Sequence, residues 1–208
     1  MTRLGPAHSV FVNCPFDDGY KPIFDAIVFA IFDCGFVARS ALELMDGAEV
    51  RVDKIARIIE GSRYGIHDIS RTELDAANGL PRFNMPFELG LFLGARRFGN
   101  SEQSRKRCLI LDREPHRYQR FISDIAGQDI ASHDNSARGA ISSVREWLGG
   151  ASKRKTIPGA TDIWNRYRRF CRDLPALAHE LRLELMEVRF NDFCYLVSKW
   201  LKKFGADG

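Results

Sequence analysis

Residues 84–97 of the chain have the sequence NMPFELGLFLGARR, an apolar run that contains a single carboxylate, Glu88. Pro86 suits the first position of a helix, where its missing N–H would have no partner in any case. Apolar side chains surround most of this predicted helix, which indicates packing on more than one side. Gly90 and Gly94 each cost about 1 kcal/mol of helix propensity relative to alanine, so we expect them to permit close approach of another backbone.

Glu88 has two interpretations. It is either a helix-start acid, stabilised by the helix dipole and reaching back to a free N–H, or a catalytic carboxylate in a cleft. In a cleft, apolar neighbours would exclude water and strengthen the field of the carboxylate. The segments on either side of the helix bear on this choice.

Composition narrows the class of protein. The 208 residues suffice for one substantial domain, or for one domain with an appendage. The net charge of +4 gives no case for nucleic acid by itself. No apolar run is long enough to cross a bilayer, and residues 1–8 lack the apolar core of a signal peptide. The five cysteines are scattered, without a close pair. This pattern favours a reducing cytoplasm over a disulfide framework or structural zinc.

Strand and helix patterns alternate through the first 148 residues. Short apolar runs predict five strands, at residues 9–12, 36–42, 63–70, 107–112 and 128–132. Helical spacing or turn signals predict helices that connect or follow these strands, at residues 20–34, 50–59, 86–98, 118–125 and 136–148. The acidic residues 43–47 are expected to form a turn after the second strand. The alternation predicts an α/β fold, a flavodoxin-like parallel sheet of about five strands covered by helices.

The alternation stops after residues 149–155, GGASKRK, which predict a linker. We therefore expect an α/β domain over residues 1–150 and a helical appendage over 151–208, which packs on the sheet domain or on a second subunit. Its three predicted helices span residues 161–172, 176–188 and 190–204. Arginines interleaved with aromatic residues in the first of them are compatible with nucleic acid, but a solvated helix face is the favoured interpretation.

Polar residues converge at one predicted edge of the sheet. In the flavodoxin-like order, ligands bind beyond the carboxyl ends of the first and third strands. Both strands exit into polar residues, which are Asn13, Cys14 and Asp17 after the first and Asp68, Ser70 and Arg71 after the third. The helix that begins near Asn84 should start at this edge too. Three segments thus predict one cleft, which favours the functional interpretation of Glu88.

Each of these residues also has a structural interpretation: a loop brace for Asp68, turn positions for Asn13 and Asp17, and a solvated surface charge for Arg71. Cys14 precedes a proline, and we favour a small buried filler over a reactive thiol. His67 alternates with an apolar residue within a strand, so a hydrogen-bonded core residue is the default interpretation.

Residues 84–90 resemble the N-x-x-[FY]-E-[LI]-G segment of bacterial TIR-like proteins, which are described as nucleotide-binding. They are also similar to the E-x-G-x-A-type segment of nucleoside 2-deoxyribosyltransferases. Residues 10–16, VFVNCPF, resemble the first strand and loop of these families, and residues 66–70, IHDIS, resemble the third strand with its aspartate. The resemblance covers about residues 9–132 and leaves the C-terminal helices outside it.

Both families cut or exchange an N-glycosidic bond. The resemblance to TIR-like enzymes implies NAD as substrate, with no further cofactor, and Glu88 as the catalytic carboxylate. In the transferases the glutamate is a nucleophile on the sugar. The resemblance also implies that Asp68 binds sugar or base and that Asn13, Cys14 and Phe16 line the first loop. Cys14 and Pro15 occupy positions where TIR domains often have serines. The sequence departs from the TIR pattern there, at the residues that would contact the base.

The chemistry suits a lone carboxylate, because cleaving a ribosyl–nitrogen bond develops oxocarbenium charge that a fixed anion stabilises. No metal is needed, and no metal-ligand spacing is present. The main hypothesis is a cytoplasmic NADase. The resemblance associates such an enzyme with bacterial antiphage defence and with a homo-oligomer. The C-terminal helices are the candidate interface of that homo-oligomer. The alternatives are a deoxyribosyltransferase-like N-glycosidase and a non-catalytic module that binds a nucleotide or self-assembles. Nucleic-acid binding through the basic tail is disfavoured.

Overall fold

Five strands form one sheet in the computed structural model, which describes residues 5–43, 50–74, 79–128, 130–152, 154 and 156–204. The strands are β1 (Ser9–Asn13), β2 (Val37–Arg39), β3 (Tyr64–Asp68), β4 (Arg107–Asp112) and β5 (Ile130–Ser132). Their order is β2-β1-β3-β4-β5 and every pairing is parallel. The predicted flavodoxin-like α/β sheet is therefore confirmed, with its reversal of strand order between β1 and β3.

In the described residues six α-helices flank the sheet, namely α1 (Lys21–Asp33), α2 (Arg51–Glu60), α3 (Asn84–Phe98), α4 (Ala137–Ser152), α5 (Ala160–Glu180) and α6 (Phe190–Phe204). The alternation of side chains along β1 separates the two faces of the sheet. Val10 and Val12 pack in the cluster that contains α1 and α4, whereas Phe11 packs against Ile58 of α2 and Phe92 of α3. Helices thus cover both faces of the sheet. The carboxyl edge of the sheet, where the strands end, is left for polar groups.

The C-terminal helices pack on the outer side of α1. The ring of Phe29 lies 5.5, 5.4 and 6.0 Å, between centroids, from the rings of Tyr167, Phe170 and Trp200. Because these helices cover one side of α1 and the sheet and α4 cover the other, residues 26–31 are all 0% exposed. Of the two expected placements for the appendage, the structure shows packing on the sheet domain. Separate folding of residues 1–150 stays a prediction.

Three predicted helix boundaries are wrong. α4 continues through Gly149 and Gly150 to Ser152, where the sequence predicts a linker. α5 is one helix of 21 residues that runs through Pro175, where the sequence predicts a break. It ends at Glu180, and the rest of the helix predicted over residues 176–188 is a turn followed by the 3-10 helix Leu185–Glu187. Tertiary packing overrides the local signals, because Leu148 and Ala178 are each 0% exposed beside these positions.

Smaller differences concern the loops. The helix predicted over residues 118–125 consists of two short 3-10 turns, Arg117–Arg120 and Ser123–Ile125. The second strand is shorter than predicted, because the chain turns into a 3-10 helix at Ala41–Glu43. Residues 44–47 of the predicted acidic turn lie outside the described residues. Among those that the structure describes, no helix is both long and apolar enough to cross a membrane.

The central helix α3 is less enclosed than the sequence predicts. Only its face with Met85, Glu88, Leu89 and Phe92 is buried, and Phe98 is 86% exposed. Gly90 and Gly94 were predicted to permit close approach of another backbone. A Cβ added at either of them would meet no atom within 4 Å among the described residues. The prediction of packing on several sides is therefore wrong within this part of the chain. Pro86 lies at the third helical position, since the helix begins at Asn84.

Candidate functional site

The structure joins the start of α3 to the ends of β1 and β3 through one amide. Asn13 Nδ2 donates to the Met85 carbonyl oxygen at 2.9 Å and lies 3.1 Å from His67 Nδ1. An amide nitrogen carries two hydrogens, so it can serve both acceptors. Asn13 is 2% exposed and fixes the first turn of α3 at the carboxyl edge of the sheet. The three segments expected to converge do lie together here.

Glu88 lies one turn into α3 and is only 5% exposed. Burial raises the pKa of its carboxyl to about 7, and the Arg51 guanidinium opposes this rise. Arg51 Nη2 lies 3.9 Å from Glu88 Oε1 but its own side chain is 63% exposed, so solvent weakens the attraction. Near neutral pH the carboxyl and carboxylate forms therefore coexist, which suits a group that exchanges protons or opposes a developing cation.

The helix-start interpretation of Glu88 does not fit the structure. α3 begins at Asn84, which places Glu88 beyond the first turn, and that turn contains no acidic residue. The position that caps the helix is Phe83, which makes no side-chain capping bond. A carboxylate that far along the helix gains little from the N-terminal dipole. Its burial therefore needs another explanation.

Asp68, at the end of β3, is the centre of a buried polar cluster. Its Oδ2 accepts from the Tyr20 hydroxyl at 2.6 Å, and its Oδ1 accepts from the Ser70 N–H at 2.8 Å. His133 Nε2 also lies 2.9 Å from Asp68 Oδ2, at ion-pair distance but without the alignment of a hydrogen bond. Asp68 and His133 are both 0% exposed. These contacts are those of the loop brace that the sequence left open.

The tautomer of His133 follows from its other nitrogen. Nδ1 accepts from the Asn135 N–H at 3.1 Å, so a neutral ring carries its proton on Nε2, towards Asp68. His133 comes directly after β5, and Asp112 ends β4. Sequence reasoning missed both residues, although the rule that drew attention to the exits of β1 and β3 applies equally to β4 and β5.

Arg117 joins the end of β4 to the loop that follows β3. Its Nε donates to Asp112 Oδ1 at 2.8 Å, and its Nη2 donates to the Ile69 carbonyl oxygen at 2.7 Å. Burial raises the pKa of Asp112, and Arg117 opposes the rise. Within the described part of the chain, Asp112 Oδ2 and Ser70 Oγ are buried without a hydrogen-bond partner. The edge thus keeps free acceptor capacity beside the Asp68 cluster.

Two other predicted residues are core groups. Cys14 is 0% exposed, and burial, reinforced by Asp68, raises the pKa of its thiol well above the usual value. Such a thiol stays protonated at neutral pH, which agrees with a buried filler rather than a nucleophile. His67 is also 0% exposed, and burial together with Lys106 lowers its pKa to about 3. It is the neutral, hydrogen-bonded core histidine that the sequence favours.

The remaining predicted residues lie at the surface of the same edge. Asp17 Oδ1 accepts from the Tyr20 N–H at 3.0 Å and lies 3.7 Å from Arg71 Nη2. Phe16 is 43% exposed and makes an edge-to-face contact with Phe24, with ring centroids 5.7 Å apart. Asn84 is exposed at the start of α3. The structure therefore pairs Asp17 with Arg71 and packs Phe16 against Phe24 of α1.

The described part of the chain has cavities at both edges of the sheet. The first, of about 480 Å³, lies between the loop after β1 and the start of α6. The second, of about 570 Å³, lies at the opposite edge of the sheet, near Arg107 and Trp147. Neither is lined by Glu88 or Asp68. Among the described residues, no group of three or more His, Cys, Asp or Glu side chains could hold a metal ion.

No protein-family model matches this chain, and no curated protein matches it significantly. The similarity to TIR-like and deoxyribosyltransferase sequences therefore rests on the short segments quoted above. The fold and the contacts at the sheet edge come from the structure.

Proposed function

We propose that the chain is an N-glycosidase that cleaves the ribosyl–nicotinamide bond of NAD, with Glu88 as the catalytic carboxylate. The observation that carries this proposal is a carboxyl 5% exposed, with its pKa raised to about 7, at the switch point of a parallel sheet. A buried group of perturbed pKa in such a position is a candidate for chemistry. A role in antiphage defence belongs to the same proposal and rests on the resemblance alone.

The reaction balances with one carboxylate and water. The bond between C1′ and the nicotinamide nitrogen breaks, and its electron pair leaves with the neutral nicotinamide. The ribosyl cation is stabilised by ionised Glu88, either as an ion pair or as a glycosyl ester. Water then adds to C1′ and releases a proton, which gives ADP-ribose. Because nicotinamide leaves as a neutral molecule, this step needs the ionised form of Glu88 and no general acid.

The substrate itself would help to ionise Glu88. The nicotinamide ring of NAD carries a positive charge, and a nearby cation lowers the pKa of a carboxyl group. Free enzyme and substrate complex should therefore differ in their pH dependence. In the free protein the ionised fraction rises through a pH of about 7.

Two alternatives stay within the same chemistry or the same cleft. A deoxyribosyltransferase-like enzyme would act on neutral nucleosides, whose leaving base needs a proton that the carboxyl form of Glu88 could supply. A non-catalytic module that binds a nucleotide is favoured by one observation. Glu88 lines neither the cavity between the loop after β1 and α6 nor the cavity near Arg107 and Trp147.

The homo-oligomer is likewise a proposal, and the expected route through the C-terminal helices has a constraint. The apolar stripe of α6, with Phe193, Leu196, Val197 and Trp200, is buried within the chain. Self-association through α6 would therefore use its polar face. Sedimentation velocity over a range of protein concentrations measures whether the chain associates at all.

The test uses purified protein at high concentration with NAD and, separately, with 2′-deoxynucleosides. We expect wild type to release nicotinamide, and Glu88→Gln to lose at least about a hundredfold in kcat. Glu102→Gln is the matched control, because the Glu102 side chain is 70% exposed. Equal turnover by wild type and Glu88→Gln removes the catalytic role. Turnover of deoxynucleosides alone supports the transferase-like alternative, and saturable nucleotide binding without product supports the binding module.

A further inference from the structure

The cavity of about 480 Å³ joins the loop after β1 to the C-terminal helices. We call it the β1–α6 pocket. It is lined by residues 15–18 and 188–193, with Lys21, Phe24, Asp25 and Leu42. Its volume falls in the range of small-molecule sites. The chain therefore has a pocket built jointly from the sheet edge and the start of α6.

The apolar wall of this pocket is aromatic and partly open. Phe16 is 43% exposed and Leu42 is 41% exposed, so both present apolar surface to the cavity. Behind Phe16 stands Phe24 at 5.7 Å, and Phe24 in turn lies 6.0 Å from Phe190, measured between ring centroids. Because Phe24 packs against one side of the Phe16 ring, the Phe16 side chain loses little conformational freedom when a ligand stacks on it. This wall suits a flat heteroaromatic group.

The polar wall consists mainly of acceptors. Four carboxylates line the pocket, those of Asp17, Asp18, Asp25 and Asp192, against two cations, Lys21 and Arg189. Lys21 Nζ is engaged by Asp25 Oδ2 at 2.6 Å. The interior thus repels a phosphate group and offers acceptors to hydroxyl and amino donors.

Positive charge lies beside the pocket instead of inside it. Arg71 Nη2 is 3.7 Å from Asp17 Oδ1, and Arg82 Nη1 is 3.8 Å from Asp17 Oδ2. Both guanidiniums belong to the segment that follows β3 and lie next to a residue that lines the pocket. An anionic group attached to a ligand in the pocket would meet them at this rim.

We propose that the β1–α6 pocket binds the nucleoside part of a nucleotide. The base stacks on Phe16, the ribose hydroxyls donate to the carboxylates of Asp17 and Asp18, and the 5′-phosphate faces Arg71 and Arg82. Carboxylates are the groups that hold ribose hydroxyls in other nucleotide sites. One step of this proposal rests on the proposed function, namely the assignment of the pocket to the adenosine half of NAD.

This assignment gives the C-terminal helices a part in substrate choice. Residues 188–193 at the start of α6 close the pocket opposite the loop after β1. The nicotinamide half would then lie on the side of Glu88, and the adenosine half on the side of α6.

Calorimetric titration with adenosine and with AMP tests the pocket independently of any turnover. We expect saturable binding of both by wild type and at least about a tenfold weaker binding by Phe16→Ala, since one stacked base contributes on that scale. Arg71→Gln should weaken AMP binding severalfold and leave adenosine unchanged. Asp18→Asn, an exposed change that leaves the core intact, should weaken adenosine. Phe98→Ala, at an 86% exposed ring on α3, is the matched control and should change neither.

The outcomes separate the two proposals. AMP binding that depends on Phe16, without hydrolysis of NAD, supports the pocket and removes the proposed function. Hydrolysis of NAD that needs Glu88, with no AMP binding and a KM unchanged in Phe16→Ala, supports the function and overturns the pocket. Adenosine binding that is equal in wild type, Phe16→Ala and Asp18→Asn also overturns it.

Discussion

Replacing Glu88 by glutamine should stabilise the protein, and the gain should grow with pH. The carboxyl is 5% exposed, and burial raises its pKa from 4.5 to about 7. Between these two values the folded state holds a proton that the unfolded state has lost. Wild-type stability therefore falls as pH rises from about 4.5 and levels off above about 7. A neutral glutamine of nearly the same shape has no such dependence.

The size of the effect follows from the two pKa values. At about 1.4 kcal/mol per pH unit, the full gap amounts to about 3 kcal/mol above pH 8. At pH 5 only about 1 kcal/mol of it has developed. Glu88→Gln should thus gain roughly 2 kcal/mol on wild type between pH 5 and pH 8.5. For a chain of this length, the gain at pH 8.5 corresponds to a rise in Tm of roughly 6–12 °C.

Urea denaturation at pH 5 and pH 8.5, for wild type, Glu88→Gln and Glu102→Gln, measures these differences. Glu102→Gln removes a carboxylate that is 70% exposed and should follow wild type at both pH values. A difference between Glu88→Gln and wild type that is the same at both pH values, within about 0.5 kcal/mol, would show that Glu88 titrates normally. The reasoning from its burial would then be refuted, and with it the main support for a catalytic carboxylate.

Three further changes test other parts of the structure. Tyr20→Phe removes the donor at 2.6 Å from Asp68 Oδ2 and should cost about 1–3 kcal/mol by urea denaturation, and an unchanged midpoint would contradict the buried brace. Gly90→Ala should raise stability by about 0.5–1 kcal/mol, because the added Cβ meets no described atom within 4 Å, and a loss would indicate a close neighbour. Pro175→Ala restores a backbone donor inside α5 and should raise the Tm measured by calorimetry, whereas a lower Tm would mean that the proline is needed there.

The sheet was predictable because its signals are local. The strand candidates are short apolar runs, and each of the five corresponds to an observed strand. Polar residues after β1 and β3 could be assigned to one edge because parallel strands end on the same side. The burial of Glu88 in an apolar run also follows from its immediate neighbours. The same rule, applied to β4 and β5, would have found Asp112 and His133.

What could not be predicted depends on contacts between distant residues. Tyr20 has no local signal for a partner, yet its hydroxyl meets Asp68 from 48 positions away in sequence. Gly149 and Pro175 carry strong local signals for a break, and packing of the adjoining turns overrides both. Phe87 lies on a helix that was predicted to pack on more than one side, yet it is 56% exposed, because only one face of α3 is buried. Patterns of polarity predict an amphipathic face more reliably than they predict how much of a helix is covered.

The cover of α1 has a consequence for synthesis on the ribosome. This helix is complete at Asp33, but the rings that enclose Phe29 from outside come from α5 and α6, with Trp200 near the end of the sequence. At translation rates of about 5–20 residues per second, roughly ten to thirty seconds separate the two. During that interval the side of α1 that these rings cover stays exposed on the nascent chain, so this apolar surface is buried only once α5 and α6 have been synthesised.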